Sequence, residues 1–263
     1  MFKPYRRPRV AVIGAGVAGS SAAAECAFSG FDTVLFERRE AVGGHFLDPD
    51  AGKVSRRFHH RTPYLKKTRT DGTPQSLVKH LDAAVEASGA TFRGSTEVTS
   101  AHFDEPEGKW VVTFTGPDGT EQTDSFDILI RATSEPSPWI EVPGRKHQDV
   151  DDLYLHQGVE VVGPPNLLFV DGPHASDARL EGKSMAVAEA RADYCRRYAR
   201  QLEIRGPGAI TVKQDRWLVQ PGMLSGLKGV LHEFDPYPHA FSQASNYVSE
   251  DRRAARKTAA TSE

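Results

Sequence analysis

The sequence predicts an α/β fold, in which a parallel sheet carries a small inserted antiparallel β-sheet. An apolar run, Val10–Ile13, passes directly into a loop with three glycines, and an alanine-rich stretch without proline follows from residue 17 to 28. A second apolar run, Thr33–Phe36, comes next, and this strand–helix–strand order is typical of parallel sheets. Polar and apolar residues then alternate between residues 96 and 126, as in antiparallel strands. We therefore predict a doubly wound parallel sheet that is interrupted by antiparallel strands.

The loop after the first predicted strand is Gly14-Ala15-Gly16-Val17-Ala18-Gly19, the GxGxxG pattern of Rossmann-like dinucleotide-binding units. In this pattern Gly14 permits the tight turn, Gly16 lets the backbone approach a pyrophosphate, and Gly19 lets the helix pack closely on the strand. The helix N-terminus offers N–H groups and a partial positive charge to an anion. A glycine-rich turn of an ordinary α/β protein is the alternative. The cofactor-binding residues predicted here are Gly14, Gly16, Val17, Ala18 and Gly19.

Glu37 stands at the end of the second predicted strand, where dinucleotide-binding units carry an acid. Its carboxylate can accept hydrogen bonds from both ribose hydroxyls. The same negative charge would repel a 2′-phosphate, so NADP is disfavoured at this site. We add Glu37 to the predicted cofactor-binding residues.

The middle of the chain predicts a helix and then a set of strands. Thr73-Pro74 begins the helix, because proline is favoured at the first helical position, and Gly89 ends it. A short strand is expected at Thr91-Phe92, and Gly116-Pro117-Asp118-Gly119 is a hairpin turn. The remaining predicted elements are strands at roughly 96–103, 109–115 and 120–126 and a helix over Glu181–Leu202.

The composition is that of a globular protein. Of 263 residues, 38% are hydrophobic and 26% are charged, which excludes wholesale disorder. The net charge of -2 does not indicate a nucleic-acid binder. The two cysteines, Cys26 and Cys195, form no CxxC pattern, so neither a disulfide scaffold nor a cysteine metal site is expected. No apolar run approaches the ~18 residues that a membrane span needs. We expect no nucleic-acid partner, no membrane partner and no metal.

The N-terminal segment superficially resembles a signal peptide. Basic residues precede an apolar stretch that begins at Val10 and extends to Phe28. However, the glycine loop and Glu25 interrupt that stretch, and the unpaired cysteines suit a reducing compartment. We therefore expect a cytoplasmic protein.

Three motifs together resemble the FAD-binding flavin-containing and Baeyer–Villiger monooxygenases. Glu37 is followed by the pair Gly43-Gly44; the run Phe126–Thr133 resembles a family segment that ends in Ala-Thr-Gly; and Pro165–His174 resembles the Baeyer–Villiger segment "PNLFFVxGP". The sequence departs from the families at His45-Phe46, where they have Thr-Trp or similar, and at Ser134, where they have glycine. The resemblance implies that FAD is the cofactor.

The resemblance also implies which further residues contact FAD. In the families the residue matching Val98 presents its backbone to the adenine, and Asp171 would meet a ribityl hydroxyl. The full set of added cofactor-binding residues is Arg38, Gly43, Gly44, His45, Val98, Ala132, Thr133, Asp171 and Gly172. His45 and His174 are the candidate catalytic residues, since either could hydrogen-bond the flavin or move a substrate proton. For His174 a surface histidine is the alternative, whereas His45 is expected near the cofactor with or without a catalytic role. The basic segment around His59 and His60 could meet an anionic substrate or a partner protein, and a solvated loop is the alternative.

The second nucleotide-binding unit of these families is missing. It would bind NADPH, but between about residues 145 and 165 the chain is too short for a βαβ unit of ~30 residues. No second GxGxxG occurs in the sequence. We predict an FAD-binding domain over residues 1–205 and a C-terminal extension or cap over residues 206–263.

These observations predict an FAD-dependent oxidoreductase that acts on a small organic molecule, of monooxygenase or oxidase type. Electrons would come from a separate reductase or from the substrate itself. Two alternatives stay open: a structural flavin that frames a non-redox step such as a cyclisation or isomerisation, and a non-catalytic binding subunit. A homodimer is a possible assembly, since loss of a domain exposes apolar surface.

Overall fold

The computed structural model describes residues 7–52, 54, 70–141, 155–156, 158–171, 184–206, 208–212 and 247–249. The first half contains β1 (Arg9–Ile13), α1 (Val17–Phe28), β2 (Asp32–Phe36), a 3-10 turn (Gly44–Leu47), α2 (Pro74–Ser88) and β3 (Thr91–Arg93). The inserted strands and the next core strand are β4 (Glu97–Asp104), β5 (Lys109–Thr115), β6 (Glu121–Phe126) and β7 (Ile128–Arg131). The later elements are β8 (Leu155–His156), β9 (Glu160–Val161), β10 (Leu167–Phe169), α3 (Ser184–Arg205), β11 (Ile210–Val212) and β12 (Tyr247–Ser249).

Seven strands form the central sheet in the order β3-β2-β1-β7-β10-β9-β8. The first five run parallel, with β1 at the centre between β2 and β7. The last two strands, β9 and β8, are antiparallel and extend one edge of the sheet. Because β1 has parallel neighbours on both sides, the glycine loop that follows it lies at the middle of the carboxyl edge.

The two faces of this sheet are covered differently. One face packs against α1, α2 and α3, and its strand residues include Val12, Ile130 and Leu168. The alternate residues, such as Ile13 and Leu129, pack against the antiparallel sheet β4-β5-β6. The predicted fold class is confirmed in its parallel sheet and its inserted antiparallel sheet. Among the described elements, however, strands and not helices cover the second face.

The helix boundaries follow local chemistry. The Thr73 hydroxyl accepts a hydrogen bond from the backbone N–H of Ser76 at 3.2 Å, and Pro74 occupies the first helical position of α2. Gly89 ends that helix with φ +79, as its sequence predicts. For α3 the predicted end at Leu202 is wrong, because the helix continues to Arg205. None of the three residues between Leu202 and Gly206 breaks a helix. The helix ends directly before Gly206, whose N–H donates to the Leu202 carbonyl at 2.9 Å.

One side chain ties the chain after α3 to the core. Asn166, which has φ +54, accepts at its Oδ1 from the backbone N–H of Ile210 at 2.8 Å, and its amide donates to the Gly208 carbonyl at 3.1 Å. The Tyr198 hydroxyl donates to the same Oδ1 at 3.2 Å. Residues 208–212 are therefore held against the main domain.

None of the helices in the described ranges is both long and apolar enough to cross a membrane.

Candidate functional site

Three loops meet at the carboxyl edge of the central sheet. The Gly14 N–H donates to the Phe36 carbonyl at 2.8 Å, which ties the glycine loop to the end of β2. The Ala132 N–H donates to the Ile13 carbonyl at 2.8 Å, and the Gly43 N–H donates to the Ala15 carbonyl at 2.7 Å. The glycine loop is therefore braced by the loops after β2 and after β7. Open α/β sheets bind ligands at this edge.

The three glycines of the loop meet very different surroundings. A Cβ on Gly14 would lie 2.7 Å from the Ala132 carbonyl oxygen, and one on Gly19 would lie 1.8 Å from the Gly14 carbonyl oxygen. Gly14 also has φ +101, a backbone conformation that favours glycine. At Gly16, by contrast, a Cβ would meet no atom within 4 Å. The protein's own packing thus requires Gly14 and Gly19, whereas Gly16 borders open space that a ligand could occupy.

The N-terminus of α1 borders the same space. Its N-cap is Gly16, so no side chain caps the helix, and its first turn contains no acidic residue. The first backbone N–H groups of a helix, here those of Val17 and Ala18, have no carbonyl partner within the helix. Together with the helix dipole they favour an anion. The sequence prediction placed Val17 and Ala18 at a pyrophosphate, and this geometry fits that group.

Glu37 is nearly buried, with 7% of its surface exposed, and its carboxylate holds the loop. Oε2 accepts from the Ala15 N–H at 2.7 Å and Oε1 accepts from the Arg39 N–H at 2.9 Å. The Glu37 backbone is fixed in turn, since its N–H donates to the Arg93 carbonyl at 2.9 Å. A carboxylate oxygen can accept a further hydrogen bond, so the predicted ribose contact remains compatible with this anchoring. The anchoring itself was not evident from the sequence.

The pair Gly43-Gly44 packs directly on the glycine loop. A Cβ on Gly44 would come within 3.0 Å of the Gly16 Cα, and one on Gly43 would lie 2.8 Å from a methyl carbon of Val78. Both residues have positive φ, +132 and +56. The pair therefore brings the chain after β2 against Gly16, where a larger residue would displace it.

Two arginines follow Glu37, and each has an acidic partner. The Arg38 guanidinium donates two hydrogen bonds to the Glu135 carboxylate, at 2.9 and 2.6 Å. This pairing raises the pKa of Arg38 and lowers the pKa of Glu135 from its ordinary value. Arg39 donates to the Gly44 carbonyl at 2.9 Å and to Asp48 at 2.8 Å. The sequence analysis predicted Arg38 as a cofactor contact but missed both ion pairs.

The other predicted residues are placed as follows. Ala132 is buried beneath Gly14, and Thr133 beside it is partly exposed. Val98 lies in β4, two residues after Thr96, whose N–H donates to the Glu37 carbonyl at 2.9 Å. His45 is exposed in the 3-10 turn after Gly43-Gly44, and its ring centroid is 3.9 Å from that of Phe46. Val98 is thus linked to Glu37 through Thr96, and His45 follows the glycine pair that packs on Gly16.

Asp171 follows β10 and is half-buried. Arg191 of α3 is buried near it, and its guanidinium donates to the Val170 carbonyl at 3.0 Å. Burial lowers the pKa of Arg191, while the negative charge of Asp171 opposes that change. Sequence reasoning missed Arg191, because a buried arginine in an alanine-rich helix has no local signature. Several predicted residues lie outside the described part of the chain: Gly172, His174, His59 and His60.

No metal site was expected, and the described residues contain no group of three or more His, Cys, Asp or Glu that could hold a metal ion. Both cysteines, Cys26 and Cys195, are free and buried. Burial raises the pKa of both thiols above its ordinary value. A thiol that resists ionisation is a poor nucleophile, so neither cysteine suits covalent catalysis.

Comparison with known proteins supports the assignment of the first unit. The family of NAD(P)-binding Rossmann-like domains matches residues 12–81. A curated relative, the lysine-specific histone demethylase 1B homolog of Caenorhabditis elegans, is 43% identical over 49 residues, which are 19% of this chain and 6% of that protein. The family match covers the glycine loop and Glu37, the residues on which the predicted dinucleotide-binding unit rests.

Several solved structures resemble parts of the chain. The S-allyl-L-cysteine S-oxygenase of Allium sativum has a TM-score of 0.37 and 20% identity, covering 48% of this chain and 36% of that one. Closed cyclohexanone monooxygenase has a TM-score of 0.40 and 23% identity, covering 50% and 26%. The OxyS anhydrotetracycline hydroxylase of Streptomyces rimosus has a TM-score of 0.35 and 18% identity, covering 49% and 32%. The chain spans 26% to 36% of the length of these three proteins.

Proposed function

We propose that this chain binds FAD at the glycine loop and acts as an oxidoreductase of the flavin monooxygenase type on a small organic molecule. One observation supports this most directly: the open space at Gly16 lies beside an uncapped helix N-terminus and a buried acid, Glu37. A pyrophosphate suits the helix end, and a ribose suits the carboxylate. The motifs that follow, Gly43-Gly44 and Ala132-Thr133, favour FAD over NAD by resemblance to the flavin monooxygenases.

Three parts of FAD, namely the pyrophosphate, the adenosine ribose and the ribityl chain, have proposed binding groups. The backbone N–H groups of Val17 and Ala18 would hold the pyrophosphate, and Glu37 would hold the adenosine ribose. Asp171 would meet the ribityl chain, because β10 ends at the same carboxyl edge as β1. The flavin supplies the electron transfer when it is bound, and the protein supplies binding and orientation.

Charged side chains of the protein would hold the proposed binding groups in position. Glu37 is already anchored by two backbone N–H groups, so its carboxylate is held in place before a ribose arrives. A group fixed in advance loses little conformational freedom on binding. Arg191 donates to the Val170 carbonyl and lies near Asp171, which would keep the end of β10 in position.

The electron source is part of the proposal. The sequence contains one GxGxxG loop, and FAD would occupy it. Electrons would therefore come from a reductase partner or from the substrate, and the isolated chain would use NADPH poorly. His45 and His174 remain the proposed proton-transfer residues, and a cytoplasmic location and a homodimer remain predictions.

The decisive experiment has two stages. The protein is purified, and its released cofactor is identified by mass spectrometry; FAD is expected, and recovery of FMN or of no nucleotide after incubation with FAD would contradict the proposal. The bound flavin is then mixed with NADPH without oxygen while its absorbance is recorded. We expect slow or incomplete bleaching, whereas complete bleaching within seconds at micromolar NADPH would show that the chain has its own nicotinamide site.

A further inference from the structure

The loop after β2 places two arginines, Arg38 and Arg39, where dinucleotide-binding units recognise the 2′-phosphate of NADP. Both arginines, however, already have partners within the protein. Arg38 makes two hydrogen bonds with Glu135, and Arg39 pairs with Asp48 and with the Gly44 carbonyl. In dinucleotide-binding units an arginine near this acid position accommodates the 2′-phosphate of NADP. The chain therefore has the residue type that a 2′-phosphate site needs, but in a neutralised form.

The partner of Arg38 comes from a different part of the fold. Glu135 is 97 residues away in sequence and follows β7, immediately after the loop Ala132-Thr133 that braces Gly14. The ion pair thus joins the loop after β2 to the loop after β7, across the edge where the nucleotide is proposed to lie. The two side chains are 55% and 63% exposed, so the pair is accessible to a ligand.

Geometry decides what the pair does. Two parallel N–H···O bonds fix the guanidinium plane and occupy its terminal Nη1–Nη2 edge, one of the edges through which an arginine binds an oxyanion in bidentate fashion. A 2′-phosphate that approached this edge would have to displace Glu135 from Arg38, and it would be repelled by the negative charges of both Glu135 and Glu37, which act on Arg38. Removing Glu37 alone would leave Arg38 still occupied.

We infer that Glu135 is a specificity-determining residue that excludes 2′-phosphorylated nucleotides by holding Arg38. This inference rests on the proposed function, since it assumes that adenosine binds beside Glu37. Discrimination against a 2′-phosphate then has two parts, direct repulsion by Glu37 and sequestration of the neighbouring arginine by Glu135. Arg39 is likewise paired with Asp48, so each arginine after Glu37 already has a carboxylate partner.

The test measures binding of 5′-ADP and 2′,5′-ADP to the full chain after its flavin has been removed. Rebinding of FAD first shows that the stripped protein is folded and that the site exists. For Glu135→Gln we expect the affinity for 2′,5′-ADP relative to 5′-ADP to rise about twofold to fivefold, a size typical of an exposed charge pair. Glu121→Gln removes the same charge from the exposed edge of β6 and should leave the ratio unchanged.

A double variant separates sequestration from simple loss of charge. If Glu135 acts by holding Arg38, the gain should disappear in Arg38→Met/Glu135→Gln. A gain that persists without Arg38, or no gain in Glu135→Gln, would overturn the inference. Failure of the unaltered chain to bind either FAD or 5′-ADP would instead contradict the proposed function.

Discussion

Charged side chains have different partners at the two edges of the parallel sheet. At the amino edge Arg9 donates to Asp124 and to Asp32, each at 2.7 Å, and to the Ser125 carbonyl at 2.8 Å, with the Phe126 ring 4.8 Å away. The donors of Arg9 are therefore paired with acceptors of the protein itself. At the carboxyl edge the acid Glu37 binds backbone N–H groups instead, and open space remains beside Gly16.

This contrast indicates where stability and binding are located. The amino edge joins the starts of β1 and β2 to β6, so its ion pairs connect the parallel sheet to the inserted sheet. The carboxyl edge orders its loops through glycine packing and the Glu37 carboxylate, and keeps the N-terminus of α1 without a side-chain cap. Substitutions at the two edges should therefore separate unfolding free energy from nucleotide affinity.

The largest effect is expected for Gly19→Val, which would damage stability and binding together. Its Cβ would lie 1.8 Å from the Gly14 carbonyl oxygen and 2.9 Å from the Ala132 Cβ, so α1 would have to move away from β1. We expect a loss of about 4 kcal/mol or more in the free energy of unfolding, or no folded protein at all. Urea unfolding measures this loss. A variant as stable as the original protein would contradict the close packing of α1 on the glycine loop.

Gly16→Val should abolish FAD binding while leaving the fold intact. A Cβ at this position would meet no protein atom within 4 Å and would enter the space assigned to the pyrophosphate. Gly52→Val is the matched control, because a Cβ there also meets no atom within 4 Å and Gly52 is not one of the residues assigned to the cofactor. We expect at least about a hundredfold loss of FAD affinity for the first variant and none for the control, with similar thermal midpoints. Equal FAD binding by both would show that the ligand does not approach Gly16.

Glu37→Ala should weaken FAD binding by about 1–3 kcal/mol through the loss of charge-assisted hydrogen bonds. It should also loosen the loop, because the Ala15 N–H loses its acceptor. Titration with FAD gives the first effect, and hydrogen exchange at residues 14–16 gives the second. Faster exchange with unchanged affinity would mean that Glu37 anchors the loop only.

Glu25 provides a pH test near the amino edge, toward the end of α1. Burial, and secondarily the charge of Asp193, raise its pKa to about 7, although Arg196 lies 3.6 Å away and Arg197 also lowers it. The folded protein therefore binds a proton that the unfolded chain releases above about pH 4.5, so this group lowers stability as pH rises from about 5 to 8. We expect a loss of about 2 kcal/mol over that interval. Glu25→Gln should remove this dependence in urea unfolding.

The control for that measurement is Glu86→Gln, which changes an exposed acid on α2. It should leave the pH profile of stability as it is. An unchanged profile in Glu25→Gln would show that the carboxylate of Glu25 stays solvated or fully paired with Arg196.

The smallest effect is expected for Arg9→Met, which changes the amino edge alone. The variant keeps the aliphatic stem and loses the bonds to Asp124 and Asp32, so we expect a loss of about 1 kcal/mol in unfolding free energy. FAD affinity should not change, because the amino edge is remote from the glycine loop along the strands. A loss of affinity without a loss of stability would contradict the division between the edges.

Elements with a local cause could be predicted from the amino-acid sequence. The start of α2 at Pro74, its end at Gly89, the glycine loop after β1 and the acid after β2 all follow from backbone preferences and spacing. The motifs also predicted FAD, because a glycine pair after that acid is a local feature. The end of α3 was missed, although Gly206, which directly follows the helix, is a local stop signal in the sequence.

Pairings between distant segments emerged only from the folded chain. Arg9 binds Asp124, which is 115 residues away in sequence, and Arg38 binds Glu135, which is 97 residues away. No local sequence pattern distinguishes these two acids from the other charged residues. The same holds for the strands that cover the second face of the sheet, and for Glu37 as the anchor of the loop beside it. Periodicity and φ preferences act over a few residues, whereas these contacts depend on how whole elements pack against one another.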